Sequence, residues 1–506
     1  MALLLGFIFG GVGFAVGAGV LGLIRSSMGL EFWSTDMSWS VAYPIALLGW
    51  LAGVGGWKYW ATEWFGGTPA VSPKGVSRYF EFNMDHKVIG IQYGVTFVAL
   101  FLLSGLFAMA IRYELMRPGL QLFTNDQYNS VMSFHGIGMI AVAVAIMMGA
   151  FGNYVVPIMI GARDMAFPRV NALSYWLVPP VAVMLVIALL MGGWDTGWTA
   201  YAPLSVLNKS GQVLFNLAVA TFGITSILGG LNFVATIVYE RAPGMTWGRL
   251  PIFVWGAMGG SPIAFFFTQG FAAALLMVLF DRVLHTSFFR AADGGSALLY
   301  EHVFWFYSHP AVYVMVLPAF GAVLEILSHM SRNPLYAYKW VVGAMLGIVA
   351  LSGLVWAHHM FTSGMADYLH APFLVLTEMI SIPTGIIFLS ALGTIWAGRL
   401  WMRTPMLFAL AFVFNFTIGG LTGIYLADVP TDLHLHDTYF VVAHFHYTIM
   451  GGEIFALFAA LYYWFPKMTG RNYNETLGRI HAVLMFIGFQ ATFIPLFEVE
   501  IGRAHV

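Results

Sequence analysis

Apolar stretches as long as a membrane-spanning helix recur along the whole chain, and they constrain its fold more than any other feature. Such a helix needs about 20 apolar residues, and lipid offers no hydrogen-bond partner to an open strand or loop. Only 9% of the 506 residues are charged, against about a quarter in an ordinary soluble domain. The pattern predicts an all-α polytopic membrane protein with about 13 transmembrane helices. The predicted spans are 2–24, 38–57, 88–111, 130–160, 173–192, 213–239, 252–279, 301–329, 339–361, 371–397, 405–427, 436–464 and 475–497.

The lysines and arginines predict how these helices are oriented. One side collects Lys58, Lys74, Arg78, Lys87, Arg163, Arg169, Arg241, Arg249, Arg332, Lys339, Arg399, Arg403, Lys467, Arg471 and Arg479. The other side collects only Arg25, Arg112, Arg117, Lys209, Arg282 and Arg290. Because cytoplasmic loops carry the excess of basic residues, we expect the N-terminus and the loop around Asp164 to be cytoplasmic, and segment 428–435 to lie outside.

The residue content excludes several kinds of site. The chain has no cysteine, so it forms no disulfide, thiolate metal site or iron–sulfur cluster. Its net charge of −1 offers no basic surface for nucleic acid. Any metal must therefore be held by histidine, carboxylate, methionine or carbonyl groups, which directs attention to the 15 histidines.

Six histidines fall within predicted spans at a common depth, in the outer part of the bilayer. They are His135, His309, His358, His359, His444 and His446. An ionisable residue inside a span is costly and is a functional candidate by default. One such residue alone is most simply a hydrogen-bonded interior histidine, but six at one depth indicate a metal or cofactor centre.

The spacing of these histidines divides them into groups. His444 and His446 point about 200° from one another on a helix, so they cannot share an ion, but each can give an axial nitrogen to a different haem. His358 and His359 diverge by about 100° and, at a distorted helix end, could converge on one metal with His309 as a third ligand. Three imidazoles without sulfur suit copper or zinc with an open coordination position.

A tyrosine accompanies this histidine group. Tyr313 follows His309 by four residues, so the two side chains share a helix face. A phenol beside a metal ligand can supply an electron and a proton.

Three long motifs identify the family that the chain resembles. They are Trp356-Ala-His-His-Met-Phe-Thr362, His436-Asp-Thr-Tyr-Phe-Val-Val-Ala-His-Phe-His-Tyr447, and Gly152-Asn-Tyr-Val-Val-Pro157 with Asp164-Met-Ala-Phe-Pro-Arg169. Over roughly residues 83–497 the sequence resembles subunit I of the haem–copper oxidases, the cytochrome c oxidase family. The resemblance implies the catalytic subunit of a respiratory terminal oxidase, which reduces dioxygen to water with electrons from cytochrome c and translocates protons.

The resemblance assigns ligands residue by residue. It implies His135 and His446 as the axial ligands of a low-spin haem, and His444 as the axial ligand of a high-spin haem. The copper B ligands that it implies are His309, His358 and His359. Tyr313 matches the tyrosine that the family crosslinks to a copper histidine, here His309.

Further residues match positions around these cofactors. Arg112 matches the arginine near the formyl group of the low-spin haem, which favours haem A. Trp198 and Trp305 match tryptophans beside the active site. His436 and Asp437 match the ligands of a magnesium or manganese ion, although a loop cap is an alternative for this pair.

A proton route from the cytoplasm is also implied. The entrance of the family's D-type channel is matched by Asp164, Asn153 and Asn171. Alone, these residues would be read as a loop aspartate and helix-capping asparagines. Ala311 stands where many members have a channel glutamate, and Tyr307-Ser308 resembles the subgroup that replaces this glutamate.

A second proton channel lacks its usual lysine. The matching position, shortly after Thr384, is Ile387. We hypothesise that Glu378 or Glu325 substitutes for the lysine.

The resemblance divides the chain into three parts. Residues 1–80 are expected to form two additional helices and a cytoplasmic linker, and residues 81–497 the catalytic core without the family's last helix. The tail 498–506 resembles read-through of a sequencing adapter.

Expected partners are subunit II, with a copper A or cytochrome c domain, subunit III, cytochrome c, dioxygen and membrane lipid. The expected location is a prokaryotic inner membrane. Alternative functions are a quinol oxidase, a nitric oxide reductase of the same superfamily, or a non-catalytic haem membrane protein.

Overall fold

The computed structural model of the protein describes residues 1–67, 70–207 and 209–503, without the side chains of residues 63 and 501–503. His505, to which the sequence gives no role, lies outside the described residues. Throughout these ranges the regular structure is helical. The α-helices are α1 (Ala2–Ser27), α2 (Thr35–Gly53), α3 (Lys58–Trp64), α4 (His86–Glu114), α5 (Asn125–Ile146), α6 (Asn153–Ile160), α7 (Pro168–Trp176), α8 (Val178–Leu190), α9 (Leu204–Leu207), α10 (Gly211–Tyr239), α11 (Ile252–Val283), α12 (Ala297–Ser331), α13 (Tyr338–Ser352), α14 (His370–Met379), α15 (Ser381–Ile395), α16 (Thr404–Ala427), α17 (Val429–Leu435), α18 (Tyr439–Thr448), α19 (Phe455–Thr469) and α20 (Glu475–Arg503).

The prediction of an all-α membrane bundle is confirmed, with a slightly lower number of long helices. Among the described residues, 11 helical segments are long and apolar enough to cross a membrane. The two other predicted spans are 38–57 and 339–361. The first corresponds to α2, which at 19 residues is long enough but less apolar, and the second to the shorter, 15-residue helix α13. Helix α13 ends at Ser352, and the chain then forms a 3₁₀ turn over Trp356–Met360.

Two of the long segments contain a π-helical turn. These turns are Met147–Gly152, between α5 and α6, and Ile449–Ile454, between α18 and α19. A π turn inserts a residue into a helix and often marks a functional site. Both segments carry histidines of the predicted centres.

The chain forms two compact units. The first unit comprises residues 1–145, 164–232 and 268–304, and the second comprises residues 146–163, 233–267 and 305–506. The second unit contains the three predicted copper ligands, and the first contains His135 and Asp164. The predicted division at residues 80 and 497 stays a prediction.

Close backbone contact joins the first two helices within the first unit. A Cβ atom on Gly13 would lie 2.6 Å from the carbonyl oxygen of Ile45, and one on Gly53 would overlap the carbonyl group of Leu5. Small residues allow helices to approach closely where lipid provides no hydrophobic driving force. The glycines therefore allow the backbones of α1 and α2 to lie in contact.

Polar side chains of α2 contact other parts of the first unit. The Trp50 indole N–H donates to the carbonyl of Trp176 at 2.7 Å. The Arg282 guanidinium, whose side chain is 5% exposed, lies 2.9 Å from the Asp36 carboxylate and also donates to the carbonyl of Ser205. Removing one partner of a buried ion pair leaves an uncompensated charge.

We expect Asp36→Ala to destabilise the protein by about 3 kcal/mol, at the low end for a broken buried pair because Arg282 keeps its carbonyl acceptors. The measurement is the thermal midpoint of the detergent-solubilised protein. The matched control is Asp126→Ala, since the Lys209–Asp126 pair has side chains that are 39% and 67% exposed and should contribute less than about 1 kcal/mol. Equal shifts for both variants would contradict the structural role of Asp36.

Candidate functional site

Three histidines of the second unit converge on one point. His309 lies in α12, whereas His358 and His359 lie in the 3₁₀ turn that follows α13. One ring nitrogen from each lies within 4.8 Å of the others. Nδ1 of His309 lies 3.2 Å from Nε2 of His359. The ring centroid of His309 lies 4.3 Å from that of His358 and 5.4 Å from that of His359.

A hydrogen bond fixes the tautomer of His358. Its Nδ1 lies 3.1 Å from the Thr377 hydroxyl oxygen, and that hydroxyl donates its own hydrogen to the Phe373 carbonyl. Thr377 can therefore only accept from His358, so Nδ1 carries the proton. The lone pair of Nε2 remains for a metal.

Packing orients the other two rings. The indole of Trp305 stacks on the His359 ring with centroids 3.7 Å apart and an interplanar angle of 9°. His309 is 5% exposed, and its Nε2 has no hydrogen-bond partner among the described residues. Buried polar atoms are normally satisfied, so the histidine group fits a bound cation. Three imidazoles suit copper or zinc.

Tyr313 adjoins this group. Its ring centroid lies 4.8 Å from that of His309, at an interplanar angle of 65°. Both residues lie on α12, one turn apart, which places the phenol beside the candidate metal ligand.

Two further histidines of the second unit lie on α18. The Nδ1 atom of His446 donates to the carbonyl of Val442 at 2.7 Å. The Nδ1 atom of His444 lies 3.1 Å from the Thr422 hydroxyl, which donates to the carbonyl of Gly419. In both residues Nδ1 must be the donor, so Nε2 is the nitrogen that can ligate a haem iron.

A glycine makes room for one of these rings. A Cβ atom on Gly423 would lie 3.0 Å from Cε1 of His444. The position tolerates no larger residue without moving the imidazole.

His135, in the first unit, has the same hydrogen-bond arrangement. Its Nδ1 donates to the carbonyl of Ser104 at 2.9 Å. Gly138, one turn further along α5, allows α4 to approach, since a Cβ atom there would overlap the Ser104 hydroxyl. Nε2 of His135 is again the nitrogen left for a haem iron.

The predicted magnesium or manganese pair, His436 and Asp437, has a second carboxylate nearby. Nδ1 of His436 lies 2.9 Å from Oδ2 of Asp432, and its Nε2 lies 4.0 Å from Oδ1 of Asp437. The Asp437 side chain is 93% exposed, whereas that of Asp432 is 4% exposed. Asp432 thus orients the imidazole, and Asp437 faces outward.

The two predicted tryptophans and the arginine occupy different surroundings. Trp198 packs on Phe304 with ring centroids 5.5 Å apart, whereas Trp305 stacks on His359. Arg112 lies in the last turn of α4 and is exposed.

The predicted D-type entrance has one carboxyl group in an unusual environment. Burial raises the pKa of Asp164 to about 6; the carboxylate of Asp85 adds to the rise, whereas Lys87 and the backbone N–H groups of Met165 and His86 oppose it. The Met165 N–H donates to the Asp164 carboxylate at 2.7 Å. Such a group can take up and release protons near neutral pH.

The remaining predicted proton-route residues are mostly buried. Asn153 donates to the Gly149 carbonyl at 3.0 Å, and Nδ2 of Asn171 is buried without a hydrogen-bond partner among the described residues. Tyr307 and Ser308 are 7% and 4% exposed. The Thr384 hydroxyl donates to the carbonyl one turn earlier in the chain.

The two glutamates proposed to replace the lysine differ in environment. The Glu325 carboxylate accepts hydrogen bonds from the backbone N–H groups of Ile252 and Phe253, and therefore caps the N-terminus of α11. Glu378 is exposed on α14.

Sequence reasoning missed the residues that orient the histidines. Thr377, Thr422 and Asp432 hold His358, His444 and His436, respectively. Only Asp432 had a local signal, because it precedes His436 by four residues. The two threonines lie 19 and 22 residues from their histidines, so only the packing of the helices reveals them.

Comparisons with known proteins show the family of the chain. The family model described as cytochrome c and quinol oxidase polypeptide I matches residues 88–501. Cytochrome c oxidase subunit 1 of Synechocystis sp. is 46% identical over 421 residues, covering 83% of this chain and 76% of the relative. A probable cytochrome c oxidase subunit 1-beta of Nocardia farcinica is 44% identical over 428 residues, covering 83% and 72%.

A solved structure shares the fold. The cryo-EM structure of a heme-copper terminal oxidase dimer superimposes with a TM-score of 0.70 at 20% sequence identity, covering 81% of this chain and 74% of the other. At that identity the likeness concerns the fold alone.

These findings define an integral membrane oxidoreductase with a histidine cluster suited to a metal. The chain belongs to the haem–copper oxidase subunit I family. It is therefore the catalytic subunit of a haem–copper terminal oxidase, and the family implies haems and copper as cofactors.

We expect Thr377→Val to lower the copper content by weakening the orientation of His358. Loss of a hydrogen bond to a metal-ligating histidine typically costs about 10–100-fold in metal affinity. The measurement is the copper-to-iron ratio of the purified protein after dialysis against a chelator. Thr417→Val, which removes an exposed hydroxyl bonded only within its own helix, is the control. An unchanged ratio in Thr377→Val would show that the hydrogen bond does not support the metal.

Proposed function

We propose that this oxidase takes electrons from cytochrome c, reduces dioxygen to water and couples the reaction to proton translocation. Each dioxygen consumes four electrons and four protons and yields two waters. The observation that carries the proposal is the convergence of His309, His358 and His359 beside Tyr313. Relatives named cytochrome c oxidase subunit 1 support the electron donor.

In this proposal the histidines divide between three metal sites. His309, His358 and His359 hold copper B, His444 holds the high-spin haem iron, and His135 and His446 hold the low-spin haem iron. Haem A is proposed because of Arg112, and a magnesium or manganese ion at His436 and Asp437.

The metals, when bound, supply the centre at which dioxygen is bound and reduced. The protein's part is orientation: Thr377 and Thr422 keep two histidines in the ligating tautomer, and the Trp305 indole holds the His359 ring in place. Burial of His309 keeps bulk water from this ligand. Tyr313 can supply one proton and one electron from its phenol.

We propose that protons enter at Asp164, on the cytoplasmic side, and continue past Asn153 and Asn171. The pair Tyr307-Ser308 serves in place of the channel glutamate, as in the subgroup that the sequence resembles. The excess of basic residues on the Asp164 side supports this orientation and a cytoplasmic N-terminus.

The proposed assembly lies in the inner membrane of a prokaryote. Its partners are subunit II, which carries copper A or a cytochrome c domain, and subunit III. Residues 1–80 form an N-terminal addition to the catalytic core at residues 81–497. We propose that a glutamate substitutes for the missing lysine, and Glu325 and Glu378 are two candidates.

The experiment that tests the function combines an optical spectrum with metal analysis and oxygen uptake. The purified complex should show two haems, one copper in this subunit and oxygen consumption with reduced cytochrome c. Oxygen consumption with quinol alone would make the protein a quinol oxidase. Iron in place of copper, with nitric oxide consumed and oxygen ignored, would place it in the nitric oxide reductase branch, against which Tyr313 argues.

The pKa of Asp164 should shift in opposite directions when each of two neighbouring charges is removed. Asp85→Asn removes a negative charge and should lower the pKa of Asp164, because the ionised form is no longer repelled. Lys87→Met removes a positive charge and should raise this pKa. Infrared titration, with Asp164→Asn used to assign the band, measures both shifts. Shifts of the same sign would contradict the proposed electrostatics; asparagine at position 85 can still cap α4.

A further inference from the structure

A buried glutamate in the second unit has no hydrogen-bond partner within the described part of the chain. Glu453 lies in the π-helical turn Ile449–Ile454 and is 1% exposed. Both of its carboxyl oxygens are buried and unsatisfied among the described residues. Burying a polar group in this way is costly. A sequence retains such a group inside a membrane span when it serves a function.

The polar groups around this turn form a network that does not include Glu453. The Tyr447 hydroxyl donates to the side-chain oxygen of Gln490, and the Gln490 amide donates to Asn415. The Asn415 amide in turn donates to the carbonyl of Gly451 at 3.1 Å. The network thus satisfies a carbonyl of the π turn and leaves the glutamate for another role.

The depth of Glu453 places it between the haem ligands and the opposite end of the helix. It follows His446 by seven residues, or about 10 Å at helical rise. It precedes Tyr463 by ten residues, or about 15 Å. Tyr463 lies within electrostatic range of Glu325. Glu453 is therefore a carboxyl group midway along the segment α18–α19.

The region that would hold the missing lysine is apolar. A cavity beside Ile387 is lined by apolar side chains that include Phe320, Phe388 and Phe412. Phe416 packs on Phe320 and Phe388. This lining offers no group that can exchange a proton.

The same aromatic cluster touches the π turn. A Cβ atom on Gly452 would lie 2.7 Å from the Phe416 ring, so the turn that carries Glu453 packs directly on this cluster. Of the three glutamates that could replace the lysine, Glu325 caps α11 and Glu378 is exposed. Glu453 alone of these three is buried without a hydrogen-bond partner among the described residues.

Resting on the proposed function, we propose that Glu453 is a proton-carrying residue that serves the haem–copper centre in the absence of the lysine. In each cycle the Glu453 carboxyl gives its proton toward the centre, where the proton joins reduced oxygen. The carboxylate then recovers a proton from the cytoplasmic side. No electron passes through the residue, and its O–H bond is broken and re-formed.

The test is Glu453→Gln, which keeps the size of the side chain but has no acidic proton. We expect oxygen uptake with reduced cytochrome c to fall at least about tenfold, because a positioned proton-transfer group typically contributes roughly 10²–10⁴-fold to a rate. The haem spectrum and the copper content should stay unchanged. Glu453→Asp should restore part of the turnover, since it restores the carboxyl group.

The matched control is Glu498→Gln, which removes an exposed carboxyl from α20 and should leave turnover unchanged. Glu325→Gln and Glu378→Gln, measured alongside, show whether either of the other two glutamates carries protons instead. Full turnover of Glu453→Gln would overturn the inference while the oxidase activity of the unaltered protein stands. Absence of that activity would instead refute the proposed function.

A second measurement decides the matter if Glu453→Gln does not assemble. The reduced-minus-oxidised infrared spectrum of the unaltered protein should contain a change in the carbonyl stretch of a protonated carboxyl group, and Glu453→Asp should shift its frequency. A spectrum in which no band responds to Glu453→Asp would overturn the inference.

Discussion

The rest of the structure depends on one constraint: polar groups in apolar surroundings need hydrogen-bond partners within the protein. Lipid provides no hydrogen bonds, so the backbone must pair with itself, and helices do this within a single segment. Polar side chains inside the helices must find carbonyl or hydroxyl partners on the same helix or a neighbouring one. The same requirement also determines which ring nitrogen of each of these imidazoles carries the hydrogen.

Four histidines that are proposed as ligands show the effect of the same constraint. His135 and His446 each donate from Nδ1 to a backbone carbonyl, whereas His358 and His444 donate to threonine hydroxyls whose own hydrogens are already used. In every case the lone pair is left on Nε2. Each ring is therefore held in the tautomer that the proposed metal and haem ligation requires, with its Nδ1 hydrogen bond already made. Preorganisation of this kind also limits which nitrogen can be the ligand.

Departures from regular helix lie where the chemistry is expected. The 3₁₀ turn over Trp356–Met360 carries two consecutive histidines whose ring nitrogens lie close to one of His309. The π turn at Ile449–Ile454 exposes a carbonyl that Asn415 satisfies, and it carries the buried Glu453. Such turns are less favourable than α-helix, and in this protein each is compensated by contacts with a neighbouring helix.

The sequence by itself determined the all-α membrane class, because the length and apolarity of a span are local properties. It also determined the six candidate histidines, since an ionisable residue within a span is conspicuous at any position. Only the tertiary structure decided that α13 is short and that Thr377 and Thr422 orient histidines about 20 residues away. It alone showed that Asp432 faces His436, that Glu325 caps another helix and that Glu453 has no hydrogen-bond partner among the described residues. These facts depend on which helices pack together, and that choice is made by contacts between residues far apart in the chain.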